Sequence, residues 1–143
     1  MPRIDDAGYG SFNYEYSATP VNFYAADVAS IEAGATYGTD SSAIYVAGAS
    51  TVCIQVTATG AAAGSAGNVT YNFVGGNAAK AGTPTYPTTA SFSIVLALSG
   101  TTKIIKDELV DVTGYKFLKI DSIVNGDGAQ AIEDVNANIY YKY

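Results

Sequence analysis

The chain has 143 residues, of which 48% are hydrophobic and 14% are charged, and its formal net charge at pH 7 is −6. This length is typical of one domain, and the apolar share is too high for a disordered protein. An acidic chain lacks the basic face that neutralises phosphates, which argues against a nucleic-acid partner.

The N-terminal part of the chain is rich in aromatic rings, set among Gly, Ser, Asn and Asp with weak periodicity. We interpret residues 1–40 as an extended arm and lead-in, and residues 41–143 as a β-sandwich domain. Within the first part, the sequence predicts one strand near 12–17, and Asp27–Ala33 is the one segment that could hold a helical turn, which Gly34 would end. The first six residues contain no hydrophobic signal core, and no apolar run reaches the roughly 20 residues of a membrane span. We therefore expect synthesis in a cytoplasm and no membrane partner.

Alternation of apolar and polar residues predicts the strands of the second part. It is clear at 52–57, 69–73, 91–98 and 135–143, and we add strands at 43–47, 102–106, 109–112 and 115–124.

Glycine-rich segments separate these strands. Residues 60–67 are predicted to form a flexible loop, and Gly75-Gly76-Asn77 to open a longer one. Ser99-Gly100 and Asn125-Gly126-Asp127-Gly128 are predicted to supply the positive φ angles of hairpin turns. Many short strands with such turns predict an all-β fold, either an antiparallel β-sandwich or a jelly roll.

The residues of acid–base, nucleophilic and metal chemistry are sparse. The chain has no His and one Cys, which excludes Ser/His/Asp triads, Cys/His pairs and zinc sets. Cys53 lies in a strand pattern and is interpreted as a small packed residue. Asp107-Glu108 is interpreted as a solvated turn between two strands, and Glu133-Asp134 as another solvated pair. We predict no enzymatic activity and no cofactor.

A calcium-binding loop is a second interpretation of Asn125–Gly128, since its residues partly match the EF-hand pattern. The pattern requires an acid two residues before Asn125, where the sequence has Ile123, so the match fails at its first ligand. A hairpin turn is the preferred interpretation. Calcium held on the surface by Asp121, Asp127 and Asp134 stays open as an alternative.

One C-terminal segment resembles a known group. Residues 110–125 read VDVTGYKFLKIDSIVN, and residues 134–139 read DVNANI. This is similar to small β-sandwich virion proteins of tailed bacteriophages, in which a V-D-V-(T/S)-G-Y-(K/R)-(Y/F)-L-(K/R)-I strand precedes S-I-x-N and a closing strand. The resemblance implies a capsid decoration (cement) protein or a related head or tail component, located in the virion. It implies the major capsid protein or other virion proteins as partners, and it carries no catalytic residues.

Aromatic residues near both ends are the predicted interface, because tyrosine supplies a large contact area with few rotamers to freeze. The arm cannot bury its rings alone, so we expect them to pack on another subunit of a homo-oligomer or lattice. Two other functions stay open: a subunit of another self-assembling filament, tail or surface layer, and a glycan-binding module, which a pocket ringed by Tyr and Asn would favour. The candidate interface residues are Tyr9, Phe12, Tyr14, Tyr16, Phe23, Tyr24, Tyr140, Tyr141 and Tyr143.

Overall fold

A computed structural model describes residues 20–38, 41–78 and 84–141. Within these ranges the chain forms strands and no helix, so the predicted all-β class is confirmed. The strands are β1 (Val21–Asn22), β2 (Val28–Ile31), β3 (Thr36–Tyr37), β4 (Ile44–Tyr45), β5 (Thr51–Gly60), β6 (Asn68–Ala78), β7 (Pro84–Thr85), β8 (Phe92–Ala97), β9 (Lys103–Asp111), β10 (Phe117–Asn125) and β11 (Ile132–Tyr141).

These strands form two antiparallel sheets. Sheet I has the order β1-β11-β5-β9, and β2 also pairs with β11. Sheet II has the order β3-β10-β6-β7, and β4 also pairs with β10 while β8 pairs with β6. β1 and β2 pair with the same side of β11, β3 and β4 with the same side of β10, and β7 and β8 with the same side of β6. Each sheet therefore has four strand positions. The connections from β4 to β5, β5 to β6, β8 to β9, β9 to β10 and β10 to β11 all switch sheets, and the resulting order is that of a jelly roll.

The core lies between the sheets and follows the alternation of the sequence. Val52, Ile54 and Val56 of β5 point inward and are fully buried. Their neighbours Cys53 and Gln55 point outward and are half-buried. Inward-facing positions of both sheets thus bury a continuous apolar layer, which is the main stabilising contribution to such a fold.

Residues 20–38, which we assigned to the arm and lead-in, belong to the sandwich. Val28 and Ile31 are buried and pair with Val135 and Ile132 of β11, so the segment that could have held a helical turn, Asp27–Ala33, contains a strand instead. Lateral pairing and burial of these two β-branched side chains outweigh the weak local helical pattern. The strand predicted near 12–17 lies outside the described residues.

A second correction concerns the turn predicted at Asp107-Glu108. β9 runs without a break and pairs along its whole length with Thr51–Thr59. Gln55 Nε2 donates to Asp107 Oδ1 at 2.9 Å, and Lys106 Nζ lies 3.4 Å from Glu108 Oε2. β9 ends the strand order of sheet I, and charged side chains are common on edge strands because they discourage further pairing.

The two predicted hairpin turns are crossings between sheets. Asn125–Gly128 leads from β10 of sheet II to β11 of sheet I, and Ser99-Gly100 leads from β8 to β9. Gly100 has the predicted positive φ, at 56°, but Gly126 and Gly128 are not among the positive-φ residues.

Tyr71 provides a test of the buried polar contacts. Its side chain is fully buried, and its hydroxyl donates to the Thr57 carbonyl oxygen at 2.6 Å. Burial raises the pKa of this phenol, so it remains a neutral donor. We expect Tyr71→Phe to lower the free energy of unfolding by about 1–2 kcal/mol in urea denaturation, because the carbonyl loses a buried donor. Tyr140→Phe, at a half-buried position, is the matched control and should change stability less.

Candidate interaction surface

The outward side of sheet I carries a row of apolar side chains. Tyr140 of β11, Cys53 of β5 and Leu109 of β9 are successive Cα partners across three strands, so their side chains share one face. Leu109 is 64% exposed, and Ile105, four residues earlier on the same strand and face, is 55% exposed. Single exposed apolar residues are ordinary, but a contiguous group of them indicates a contact surface.

Polar residues border this row. Asn138, Gln55 and Asp107 form the next row of Cα partners. Beyond Leu109, Asp111 Oδ1 accepts a bond of 2.8 Å from the Thr113 amide, which lowers the pKa of that carboxyl group. An apolar centre with a polar border is the usual composition of a protein interface. We call this surface the terminal face: Cys53, Gln55, Ile105, Asp107, Leu109, Asp111, Asn138 and Tyr140.

The two ends of the described sandwich meet at this face. Val21 pairs with Ile139, and Asn22 pairs with Asn138, so β1 begins beside the end of β11. The backbone of Tyr141 pairs with Val52 at the start of β5. The segments that precede residue 20 and follow residue 141 therefore join the sandwich next to the Tyr140–Leu109 row.

The predicted interface residues divide into three groups. Tyr140 lies on the terminal face, as described above. Phe23 and Tyr24 are a correction, because they are 0% and 3% exposed and belong to the chain's own core. The Phe23 ring packs edge-on against Phe73 with 5.4 Å between centroids. Among the remaining candidates, only the backbone of Tyr141 belongs to the described part of the chain. The others lie outside it: Tyr9, Phe12, Tyr14, Tyr16 and Tyr143.

Cys53 sits in the middle of the apolar row. Burial raises the pKa of its thiol, and the neighbouring Asp107 carboxylate raises it further. The side chain is therefore held as a neutral thiol, in accord with its interpretation as a packed residue rather than a nucleophile.

Sequence reasoning missed a second surface, on the outward side of sheet II. Tyr45 and Phe117 are Cα partners whose rings contact edge-to-face at 5.3 Å between centroids. Phe117 also partners Gly76, over which the Tyr86 ring lies: a Cβ at Gly76 would come within 2.7 Å of Tyr86 Cδ1. Lys119 Nζ lies 4.5 Å from the Tyr86 centroid. We call Tyr45, Phe117 and Tyr86 the ring row.

The Gly75-Gly76 pair was the signal for this row. We expected it to open a loop, but both glycines lie inside β6. A Cβ at Gly75 would come within 2.4 Å of the Tyr115 ring, just as one at Gly76 would collide with Tyr86. Glycines inside a strand often mark such close approaches, and Gly76 thus marks the position of Tyr86 in the ring row.

The Asn125–Gly128 segment lies at the end of the sandwich opposite the terminal face, and its Asp127 side chain bonds to backbone amides. The Asp127 carboxylate accepts bonds of 2.8 Å from the Ala66 amide, 2.8 Å from the Ala129 amide and 3.1 Å from the Gln130 amide. In the part of the chain that the structure describes, no group of three or more His, Cys, Asp or Glu is placed to hold a metal ion. The arrangement ties the 61–67 loop to the β10–β11 connection.

These hydrogen bonds predict that the contribution of Asp127 to the stability of the fold depends on pH. They lower the pKa of Asp127 in the folded chain, so the carboxylate contributes stability above its unfolded pKa of about 3.9. That contribution is lost as the pH falls through the lower, folded value. We expect Asp127→Asn to melt below the wild type at pH 7, and the difference in Tm to shrink below about pH 4. A difference that stays constant from neutral to acid pH would contradict this.

The chain matches no protein-family model, and no curated protein is significantly similar to it in sequence. Within the described ranges, no helix is long and apolar enough to cross a membrane.

Proposed function

We propose that the chain is a non-enzymatic structural protein of a virion, of the capsid decoration type, which attaches to the capsid lattice through its terminal face. The observation that carries the proposal is the contiguous apolar row on this face. Leu109, in this row, is 64% exposed, and Ile105, at 55%, lies on the same face beyond the polar row of Asn138, Gln55 and Asp107. Burying such side chains against a partner contributes about 25 cal/mol per Å² of apolar surface.

The position of the face supports attachment rather than ligand capture. The surface is formed by the middle and edge strands of a sheet, β11, β5 and β9, which are nine or ten residues long. Rigid sheet surfaces of this kind suit repeated contacts in a lattice, since little conformational entropy is lost on binding. Jelly rolls occur in viral capsid proteins and also in lectins, so the fold alone does not decide the function.

The aromatic residues outside the described ranges extend this proposal. Tyr9, Phe12, Tyr14 and Tyr16 precede the strand that begins beside Tyr140. We assign them, together with Tyr143, to the same contact with the capsid or with neighbouring subunits. The partners in this proposal are the major capsid protein and other virion proteins.

The described residues give no specific support to the glycan-binding alternative. A surface depression of about 410 Å³ is lined by Tyr24, Tyr37, Asp27, Ser30, Val28 and three alanines. This lining contains two tyrosines and no asparagine, whereas a pocket ringed by both residue types would favour glycan binding. Another self-assembling filament, tail or surface layer stays a distinct outcome of the test below.

The test is to purify phage particles from the culture that produces this chain and to count its copies by quantitative mass spectrometry. We expect a fixed ratio of this chain to the major capsid protein through successive density gradients. Leu109→Lys should reduce incorporation at least about tenfold, because it places a charge in the centre of the contact. Thr101→Lys, at an exposed position in the β8–β9 connection, is the matched control. Absence of the chain from particles, or equal incorporation of both variants, would overturn the proposal.

A further inference from the structure

Strand β8 forms an open edge of sheet II. Among the described strands it pairs only with β6. The Leu98 amide donates to the Gly67 carbonyl oxygen at 2.9 Å, and hydrogen-bonded pairs recur at every second residue of an antiparallel ladder. The backbone groups of Ser93, Val95 and Ala97 therefore point away from β6, toward the open edge.

The sequence of β8 favours further pairing at this edge. The strand reads FSIVLA, and residues 81–102 contain no charged side chain that could repel another strand. Segments of about six residues with high β-propensity, low charge and no Pro pair readily with other chains when they are exposed on an edge. The edge strand of sheet I differs, since β9 carries charged residues along its length and these discourage pairing.

Lys106 of β9 covers the edge of β8. It belongs to the inward-facing set of β9 with Ile104 and Val110, so its side chain extends toward sheet II. Its Nζ donates to the Val95 carbonyl oxygen at 2.7 Å, and Glu108 Oε2 lies 3.4 Å from the same Nζ. Lys106 thus occupies a backbone acceptor that an added strand would need. Inward-pointing charges, lysines above all, are a known protection of sheet edges.

We infer that the edge of β8 is a pairing surface for a second copy of the chain, and that Lys106 keeps it unpaired. A two-fold axis beside Val95 would set two β8 strands antiparallel, with Val95 opposite its own copy and Ser93 opposite Ala97. A contact between identical patches is isologous and closes as a dimer. With Lys106 in place, this approach would break its bond to Val95 and bring two like charges to one seam, which strongly opposes binding.

This pairing surface is separate from the terminal face. β8 belongs to sheet II, whereas the strands of the terminal face belong to sheet I. The inference goes beyond the proposed function and does not depend on it. Without Lys106, copies would join through sheet II in solution, whatever the terminal face binds.

Sedimentation velocity of the full chain tests the role of Lys106. We expect Lys106→Ala to dimerise with a dissociation constant at least about tenfold below that of the wild type. Lys106→Met keeps the length of the side chain but not its charge or its donor, and should behave in the same way. Lys106→Arg retains both and should match the wild type. Lys103→Ala removes an exposed lysine from the outward side of the same strand and is the matched control.

A second substitution and hydrogen–deuterium exchange locate the contact. Val95→Lys, added to Lys106→Ala, should abolish the dimer, because it sets two lysines directly opposite each other across the two-fold axis. The amides of Ser93, Val95 and Ala97 should exchange more slowly in the Lys106→Ala dimer than in the wild type, since they gain carbonyl partners.

The inference is overturned if Lys106→Ala and Lys106→Met associate no more than the wild type, or if Lys103→Ala associates as strongly as they do. Dimers that persist with Val95→Lys, or that leave the exchange of β8 unchanged, would place the contact elsewhere and overturn it as well. Thermal melts of each variant verify that the fold is retained. Incorporation into particles is tested separately by Leu109→Lys, so each proposal can fail without the other.

Discussion

Deletion of residues 1–24 is expected to unfold the domain, whereas deletion of residues 1–19 is expected to leave it folded. The first deletion removes strand β1 and the rings of Phe23 and Tyr24, which are almost fully buried. It also removes the Phe23 backbone, whose amide donates to Ala137 at 2.9 Å and whose carbonyl accepts from Ser42 at 2.7 Å. The expectation from the sequence that these rings pack on another subunit would instead predict a folded domain after the longer deletion.

The expected loss of stability follows from the burial of Phe23 in the core. Truncating a buried Phe to Ala costs about 3–5 kcal/mol, and domains of this size have a total stability of about 5–15 kcal/mol. Losing a second ring and the strand pairing with β11 should exceed the remaining stability. Thermal melts followed by circular dichroism test the pair, with Phe23→Ala as an intermediate case and Val21→Ala, at 39% exposure, as the mild control. Equal melting of the two truncated chains would contradict the assignment of Phe23 to the core.

Asn125→Ala is expected to produce the largest loss of stability among substitutions in the connections between strands. The side chain is fully buried where β10 ends. Its Nδ2 group lies 3.3 Å from the Ile31 carbonyl oxygen, 3.0 Å from that of Glu32 and 2.9 Å from that of Gln130. Its Oδ1 accepts from the Asp127 amide at 3.0 Å. One amide thus joins the β2–β3 connection to the β10–β11 connection.

Removing that amide leaves several buried backbone groups without partners. Each unsatisfied group costs about 1–3 kcal/mol, so we expect Asn125→Ala to lower the free energy of unfolding by about 2–4 kcal/mol. Asn125→Asp should be at least as harmful, because it places an oxygen against carbonyl oxygens. Asn22→Ala replaces an exposed amide on β1 and should stay within about 0.5 kcal/mol of the wild type. Urea denaturation measures all three, and a small effect of Asn125→Ala would show that water replaces the amide.

Period-2 alternation predicted the long strands well because it reports burial of one face. The pattern at Val52, Ile54 and Val56 corresponds to inward positions of β5, and the strand predicted at 115–124 is β10, Phe117–Asn125. Short strands were not predictable in this way, since β1 and β3 have two residues each and depend on pairing with β11 and β10.

The candidate surfaces depend on the pairing register between strands, which the residue pattern within one strand does not specify. Tyr140, Cys53 and Leu109 come from three separate strands, and only the pairing of β11 and β9 with β5 brings them side by side. Tyr140 was predicted as an interface residue for its ring and its position near the end of the chain. Leu109 was not predicted, because a turn was expected at the preceding residues. Asn125 was recognised as a turn residue, but its bonds to Ile31 and Glu32 depend on the fold.

Hydrogen–deuterium exchange of the free and the particle-bound chain shows whether the terminal face is covered in an assembly. Backbone amides of Thr51–Gln55, Lys103–Asp111 and the last residues of β11 should exchange more slowly in particles than in the free chain. The connections at 61–67 and 126–131, at the far end of the sandwich, should be unchanged. Slower exchange confined to that far end, with the terminal face unaffected, would contradict attachment through the terminal face.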